Sequence, residues 1–252
     1  MLFHFTVLFF SILFFLSLLF ISERPIVPAW SFYLTVCGSL IVLSIIAARK
    51  LTDRWYTAYL PSILAFSVPL LLSLIDRGFE MRVFIIVASC LYYLALLGVY
   101  RLHQAPQDKT ARTMLNLAAL ASLFFVFTAT YGLYLNYEVP LALLLGVYFF
   151  GSAIVTFQTS YVATTPKNAR RSMVTAFVIG LLMTEFMWVV HFWPFGYVTI
   201  GMAILIYFFW LWKISLDAVR EEFVWSRAWR EGFLLLFLLG LLIMTANWSL
   251  GG

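Results

Sequence analysis

Two side chains that can carry protons lie in an otherwise apolar stretch, Met183–Trp193 (MTEFMWVVHFW). Glu185 and His191 are residue types used for general acid–base chemistry and for proton transfer within membranes. Six helical residues separate their side chains by about 120° around the axis and by roughly 9 Å along it. That separation is too large for a direct acid–base pair, so each side chain must find its partners on other segments.

Glu185 is the one acidic residue of eleven that lies deep in an apolar run, because the other ten occupy loops or the ends of runs. It precedes Pro194 by nine residues. At 1.5 Å per residue this is roughly 13 Å, which places the carboxyl near the middle of a bilayer. An ionised group costs about 2.5–3.5 kcal/mol there on insertion scales, so we expect Glu185 to be neutralised, paired or solvated.

The candidate neighbours of Glu185 are hydroxyl-bearing residues at matching depth on other apolar runs: Tyr207, Thr128, Ser152 and Thr156. Ser152, Thr156 and Ser160 recur at every fourth position, which indicates a polar or close-packing stripe on one helix. Two interpretations of Glu185 stay open. The carboxyl either bonds across two helices as structural support, or it handles protons or a solute.

His191 lies one turn from the predicted outer interface among aromatic residues, where a histidine serves as an anchor or as part of an enzyme site. The three histidines, His4, His103 and His191, are too scattered to suggest metal ligation, and the sequence has no phosphate-binding glycine loop, GxSxG or HExxH motif. Cys37 and Cys90 fall inside apolar runs and behave there as small apolar residues. The sequence therefore predicts no catalytic residue, no metal and no cofactor.

The composition is typical of an integral membrane protein, with 64% hydrophobic residues, 11% charged residues and a mean hydropathy of +0.99. Unbroken apolar runs of about twenty residues predict helices, whereas barrel strands would alternate in polarity over roughly ten residues. The predicted fold class is all-α, a polytopic transmembrane helix bundle forming one domain over residues 1–252, without a soluble domain. The net charge of +5 resides in short loops and offers no patch for nucleic acid.

Nine apolar runs predict nine spans, and the first lacks the features of a cleavable signal, so we expect it to be retained. The charged segment 216–231 has a helical pattern, with Asp217/Arg220 and Arg227/Glu231 at pairing distance, and is expected to extend the eighth helix in the cytoplasm. The approximate bounds of the spans are 2–21, 29–48, 56–75, 83–100, 113–135, 141–164, 173–193, 197–215 and 232–248.

The distribution of basic residues predicts the orientation of these spans. Thirteen of the sixteen Lys and Arg residues fall in the loops after spans two, four, six and eight. Basic residues in short loops are retained in the cytoplasm. The N-terminus is therefore expected in the cytoplasm and the C-terminus outside.

The stretch from Glu185 to Trp212 contains an acid and tryptophans, the aromatic turn Phe192-Trp193-Pro194-Phe195 and the run Tyr207-Phe208-Phe209-Trp210. Together with the closing Asn247-Trp248, it resembles a group of uncharacterised multi-spanning proteins of small-genome candidate-phylum bacteria. The resemblance covers about the last third of the chain. It implies the inner (cytoplasmic) membrane of a bacterium and brings no established activity.

Three functions are compatible with the sequence. The leading hypothesis is a non-enzymatic membrane subunit or scaffold that packs against lipids or other membrane proteins, because the loops are short, the aromatic residues abundant and chemical motifs absent. The alternatives are a small-solute or proton-coupled permease that uses Glu185, and an intramembrane lipid-modifying enzyme built around His191. A water-filled cavity at Glu185 would indicate transport, a hydroxyl partner would indicate structural support, and a polar cluster at His191 would indicate the enzyme.

Overall fold

The computed structural model describes residues 2–23, 30–52, 55–76, 78–105, 107–137, 139–163, 169–219 and 224–246. Every regular element in these ranges is a helix. The α-helices are α1 (Leu2–Glu23), α2 (Trp30–Leu51), α3 (Tyr59–Leu72), α4 (Phe79–Gln104), α5 (Lys109–Asn136), α6 (Leu141–Ala163), α7 (Ala169–Val190), α8 (Tyr197–Val219) and α9 (Trp225–Thr245).

Seven of the described helices, α1 and α4 to α9, are long and apolar enough to cross a membrane. This confirms the predicted class of a helical membrane protein. The third predicted span, 56–75, is instead divided into a short 3₁₀ helix, Trp55–Ala58, and the 14 residues of α3. At 1.5 Å per residue α3 alone is about 21 Å long, less than a hydrocarbon core of about 30 Å. The count of nine spans and their orientation therefore stay predictions.

The chain divides into two compact units, Met1–Val126 and Phe127–Gly252. The boundary lies inside α5, where the helix continues without interruption. No linker or change of composition marks this position in the sequence, which is why the sequence analysis expects one domain.

The first unit packs α1 against α4 and α2 against α3. Its centre is Tyr92 on α4, whose ring stacks on Phe14 of α1 at 4.2 Å between centroids. The Tyr92 hydroxyl is 2.9 Å from Ser44 Oγ on α2, so the polar end of this buried ring is satisfied. One residue thus ties three helices together.

Asp108 caps the start of α5. Its Oδ1 accepts hydrogen bonds from the backbone N–H groups of Thr110 and Ala111, and its Oδ2 lies 2.9 Å from the Arg101 guanidinium at the end of α4. Desolvation would raise the pKa of Asp108, but these hydrogen bonds and Arg101 outweigh it and lower that pKa below its ordinary value. The α4–α5 loop is therefore held by a charged cap.

In the second unit, α6 and α7 pack along their lengths. At Gly180 a Cβ would lie 3.0 Å from the Phe149 ring and 3.1 Å from its carbonyl oxygen, so a larger residue would have to move its neighbour by a few tenths of an ångström. Each helix has a buried stripe of small residues at every fourth position: Ser152, Thr156 and Ser160 on α6, and Ser172, Ala176 and Gly180 on α7. The hydroxyl stripe predicted on α6 thus belongs to the packed side of this helix.

Helices α8 and α9 are joined by two ion pairs. Lys213 Nζ lies 2.5 Å from Glu231 Oε1, and Arg227 lies 3.6 Å from Asp217. Arg227 and Glu231 thus pair with residues of α8, and not with each other as the sequence analysis expected. Arg220 lies outside the described residues, so the predicted Asp217/Arg220 pair is untested.

The charged segment 216–231 is also arranged differently from the expectation. Helix α8 ends at Val219, and a separate helix, α9, begins at Trp225. The segment is therefore shared between two helices, and its second half is not an extension of the eighth helix. The packing of α8 against α9 brings residues 10 and 18 positions apart in sequence into ionic contact, which an intrahelical pattern cannot indicate.

Candidate functional site

Helix α7 has one packed side and one exposed side. Met183 and Met187 are fully buried, and Glu185 lies between them, about 160° away around the helix from each. Glu185 is accordingly exposed, in the same stripe as Leu181 and Trp188. The only deep acid of the sequence therefore points away from the packed interior of its own unit.

We call the exposed stripe around this acid the Glu185 face. Its other members are large and apolar: Phe177, Leu181, Trp188 and Phe192, with exposed fractions of 44–72%. Glu185 sits close to the midpoint of the apolar run 173–193, within roughly 3 Å along the axis. The face thus combines a hydrocarbon-compatible surface with one carboxyl near the middle of the apolar run.

Tyr207 is the predicted neighbour that contacts the residue next to Glu185 on α7, and its pairing with Glu185 itself stays a prediction. It is half-buried on α8, and its ring stacks on Phe186 of α7 at 4.1 Å between centroids. Tyr207 therefore lies at the edge of the Glu185 face, where α8 meets α7.

The other predicted hydroxyl neighbours belong to the packed interior. Ser152 donates to the Tyr148 carbonyl at 2.6 Å, and Thr128 packs directly against Gly201 of α8. Thr156 is fully buried in the stripe that α6 presents to its neighbours. Since Glu185 is exposed, the structure does not bring these three residues to it.

His191 lies just beyond the end of α7 and contacts Tyr134 near the end of α5. Its Nε2 is 3.2 Å from the Tyr134 hydroxyl, and the two rings meet edge to face at 5.0 Å between centroids. The Nδ1 atom is buried and has no hydrogen-bond partner among the described residues. His191 and Glu185 thus have different partners, in agreement with the angle between them, and the predicted anchoring role of His191 stays a prediction.

Two polar residues of this unit were missed by the sequence analysis. Tyr134 was assigned to its span without a role, although it is the partner of His191. Gln158 is only 6% exposed, and its Oε1 has no hydrogen-bond partner among the described residues. Gln158 is a polar residue inside the apolar run 141–164, just as Glu185 is a polar residue inside the run 173–193. It was missed because only ionisable residues were compared by depth, and an amide is not ionisable.

The residues that could do chemistry in this unit do not form one cluster. Within the part of the chain that the structure describes, no group of three or more His, Cys, Asp or Glu side chains could hold a metal ion. Glu185 is exposed, whereas His191 contacts Tyr134. The feature that stands out chemically is the exposed carboxyl of the Glu185 face.

Comparison with known proteins places the chain in a family. Residues 48–246 match the family described as Protein of unknown function (DUF5656). The matched range contains α3 to α9 up to its end, and so includes the whole Glu185 face. No curated protein and no solved structure matches the chain. The chain therefore belongs to the DUF5656 family, whose function is unknown.

Proposed function

We propose that this protein is a subunit of a membrane complex and that its Glu185 face binds a transmembrane helix of a different chain. The observation that supports this proposal is the exposure of Glu185 at mid-span on an otherwise apolar surface. A charged group facing hydrocarbon is unfavourable by about 2.5–3.5 kcal/mol on insertion scales. A partner helix that offers a hydrogen-bond donor or a cation removes this cost, and its packing covers the apolar residues.

Charge complementarity defines the partner. From Met173 to Phe192 the only charged side chain on α7 is Glu185, and this stretch contains no Lys or Arg. A second copy packed through the same face, with the two-fold axis near Glu185, would bring two carboxyls together without a complementary cation. A different chain with Lys, Arg or a hydroxyl at mid-span complements the carboxyl. The proposal therefore specifies a heteromeric contact.

Site-specific photo-crosslinking in native membranes tests this contact. A photoreactive residue at position 181 or 188 is expected to form an adduct with one discrete membrane protein, and the crosslinked peptide is expected to contain Lys, Arg, Ser or Thr at mid-span. The matched control is Leu143 of α6, which is 53% exposed on the same unit. Its replacement by the photoreactive residue is expected to give no such adduct.

The Glu185 variants connect the adduct with the carboxyl. Glu185→Leu is expected to reduce the yield of the adduct at least five-fold, whereas Glu185→Gln, which keeps an acceptor oxygen, is expected to retain most of it. A homodimeric adduct, an adduct within one chain, or an adduct unchanged by Glu185→Leu would each overturn the proposal. Equal thermal midpoints of the variants in detergent exclude unfolding as the cause of a lost adduct.

A further inference from the structure

The Glu185 face has a second side chain that can recognise a partner. Trp188 follows Glu185 by three residues on α7, which places the two Cβ atoms about 5–6 Å apart on neighbouring turns. The Trp188 side chain is 54% exposed, and Glu185 is exposed as well. A carboxyl and an indole ring are therefore accessible to one group of a partner at the same time.

Trp188 lies well inside the apolar run of α7. The run 173–193 has its midpoint at Met183, and Trp188 is five residues from it, roughly 8 Å along the axis. In a span centred on this run, the hydrocarbon would extend about 15 Å to each side. Tryptophans that anchor a helix lie at the headgroup level. Anchoring at the interface therefore does not explain Trp188, whereas contact with a partner does.

The helices next to the Glu185 face supply no cation to it. No ion pair of the Glu185 carboxyl lies among the residues that the structure describes. The single basic residue of α8 is Lys213, and it is paired with Glu231 of α9. On α7 the nearest basic residues are Arg170 and Arg171, at least 14 residues or about 21 Å from Glu185 along the axis. A cation at this carboxyl must come from another chain.

The carboxyl and the indole together discriminate between the donors that a partner helix can offer. A Ser or Thr hydroxyl bonds to the carboxyl alone and gains nothing from the indole. A cation is attracted both by the carboxyl and by the face of tryptophan, the aromatic ring that binds cations best. Arginine suits this pair better than lysine, because its planar guanidinium stacks on aromatic faces, donates two parallel hydrogen bonds to a carboxylate and keeps its charge in apolar surroundings.

We propose that the partner helix places an arginine against Glu185 and Trp188. The guanidinium donates to the carboxyl oxygens, and its plane lies on the indole ring. Phe192 meets the Trp188 ring edge to face at 6.1 Å between centroids and so supports the indole one turn further along α7. The assignment rests on the proposed function, because it names the residue type that the partner of the Glu185 face carries.

A photoreactive residue at position 181 of the full-length protein, used in native membranes, identifies the partner helix. This position is one turn before Glu185 and leaves both recognition residues intact. Mass spectrometry of the crosslinked peptide is expected to show an arginine within about two turns of the attached residue. A discrete partner helix without arginine would overturn the assignment and leave the proposed function standing. The absence of any heteromeric adduct would overturn both.

Variants of Trp188 test the contribution of the indole to this adduct. Trp188→Leu removes the aromatic face and is expected to lower the yield at least three-fold, whereas Trp188→Phe keeps a ring and is expected to lower it less than two-fold. The matched control is Phe177→Leu, since Phe177 is 55% exposed on the same face but eight residues, about 12 Å, from Glu185. Equal losses in the two leucine variants, or no loss in Trp188→Leu, would contradict the assignment. Thermal midpoints in detergent exclude unfolding as the cause.

Exchanges on both chains test the arginine itself. Glu185→Leu leaves the guanidinium in hydrocarbon without a carboxyl, which is why the adduct is expected to fall at least five-fold. Glu185→Gln leaves it an acceptor oxygen and the indole face, in line with the adduct expected for that variant. Combining Glu185→Leu with leucine in place of the partner's arginine removes both charged groups, and at least half of the adduct is expected to return. Absence of this recovery would overturn the assignment.

Discussion

Replacing Gly201 by alanine is expected to force α8 away from α5 within the second unit. A Cβ at position 201 would overlap Thr128 Oγ1 and would lie 3.1 Å from both Thr128 Cα and Cβ. Rotation about the threonine Cα–Cβ bond moves the hydroxyl and the methyl group, but it leaves Cα and Cβ in place because they are fixed by the helix. The clash can therefore be relieved only by moving one backbone relative to the other.

The expected cost follows from two opposing effects. Overpacking of a well-packed contact costs about 1–3 kcal/mol. Alanine in place of glycine within a helix stabilises the folded protein by about 0.5–1 kcal/mol. A matched Gly→Ala substitution without a clash shows the second effect alone, so the difference between the two variants isolates the overpacking. For a chain of this size, about 1–3 kcal/mol corresponds to a difference in Tm of about 2–12 °C.

Gly146 on α6 is the matched control, since a Cβ there meets nothing within 4 Å. Thermal unfolding in detergent, followed by tryptophan fluorescence, is expected to show a lower Tm for Gly201→Ala than for Gly146→Ala. Adding Thr128→Ala to Gly201→Ala removes the overlapping hydroxyl but leaves the two carbons, so we expect partial recovery. A Gly201→Ala protein as stable as the Gly146→Ala protein would refute the close contact of α5 with α8.

Two further predictions concern charged contacts. Because the folded-state pKa of Asp108 is lowered below its ordinary value of 3.8, its contribution to stability is present above that pH and is lost as the pH falls toward the folded-state value. At pH 7 the Asp108→Asn protein is expected to have a lower Tm than the wild-type protein. Below about pH 4 this difference in Tm is expected to become smaller, which thermal unfolding across the pH range measures. At the α8–α9 contact, Lys213→Glu and Glu231→Lys are each expected to lower stability by about 1 kcal/mol or less. The doubly reversed variant is expected to recover most of this loss, and an additive loss would show that the 2.5 Å pair does not contribute.

The positions of the helices were predictable because lipid demands long apolar runs. The predicted eighth span, 197–215, begins where α8 begins at Tyr197, and the predicted seventh span, 173–193, overlaps most of α7. Helix α7 nevertheless starts four residues earlier, at Ala169, and includes Arg170 and Arg171. Hydropathy detects only the part of a helix that matches hydrocarbon, whereas backbone hydrogen bonding continues into the polar region.

The direction of Glu185 was not predictable from hydrophobicity. In a soluble helix the apolar stripe marks the core, but around α7 nearly every side is apolar, so no such contrast exists. The small residues carry the missing signal, since Ala176 and Gly180 mark the side that packs closely against α6. Glu185 lies about 140–180° from these positions on the wheel, on the part of the helix that remains exposed.

The contrast between Gln158 and Glu185 supports association through the exposed acid. Gln158 is buried within the second unit, where an amide can both donate and accept hydrogen bonds. Glu185 is the stronger acceptor and the costlier group in hydrocarbon, yet it is the one that points outward. If the interior of this unit were the place where a deep carboxyl is stabilised, the opposite arrangement would be expected. An external partner at the Glu185 face accounts for both placements.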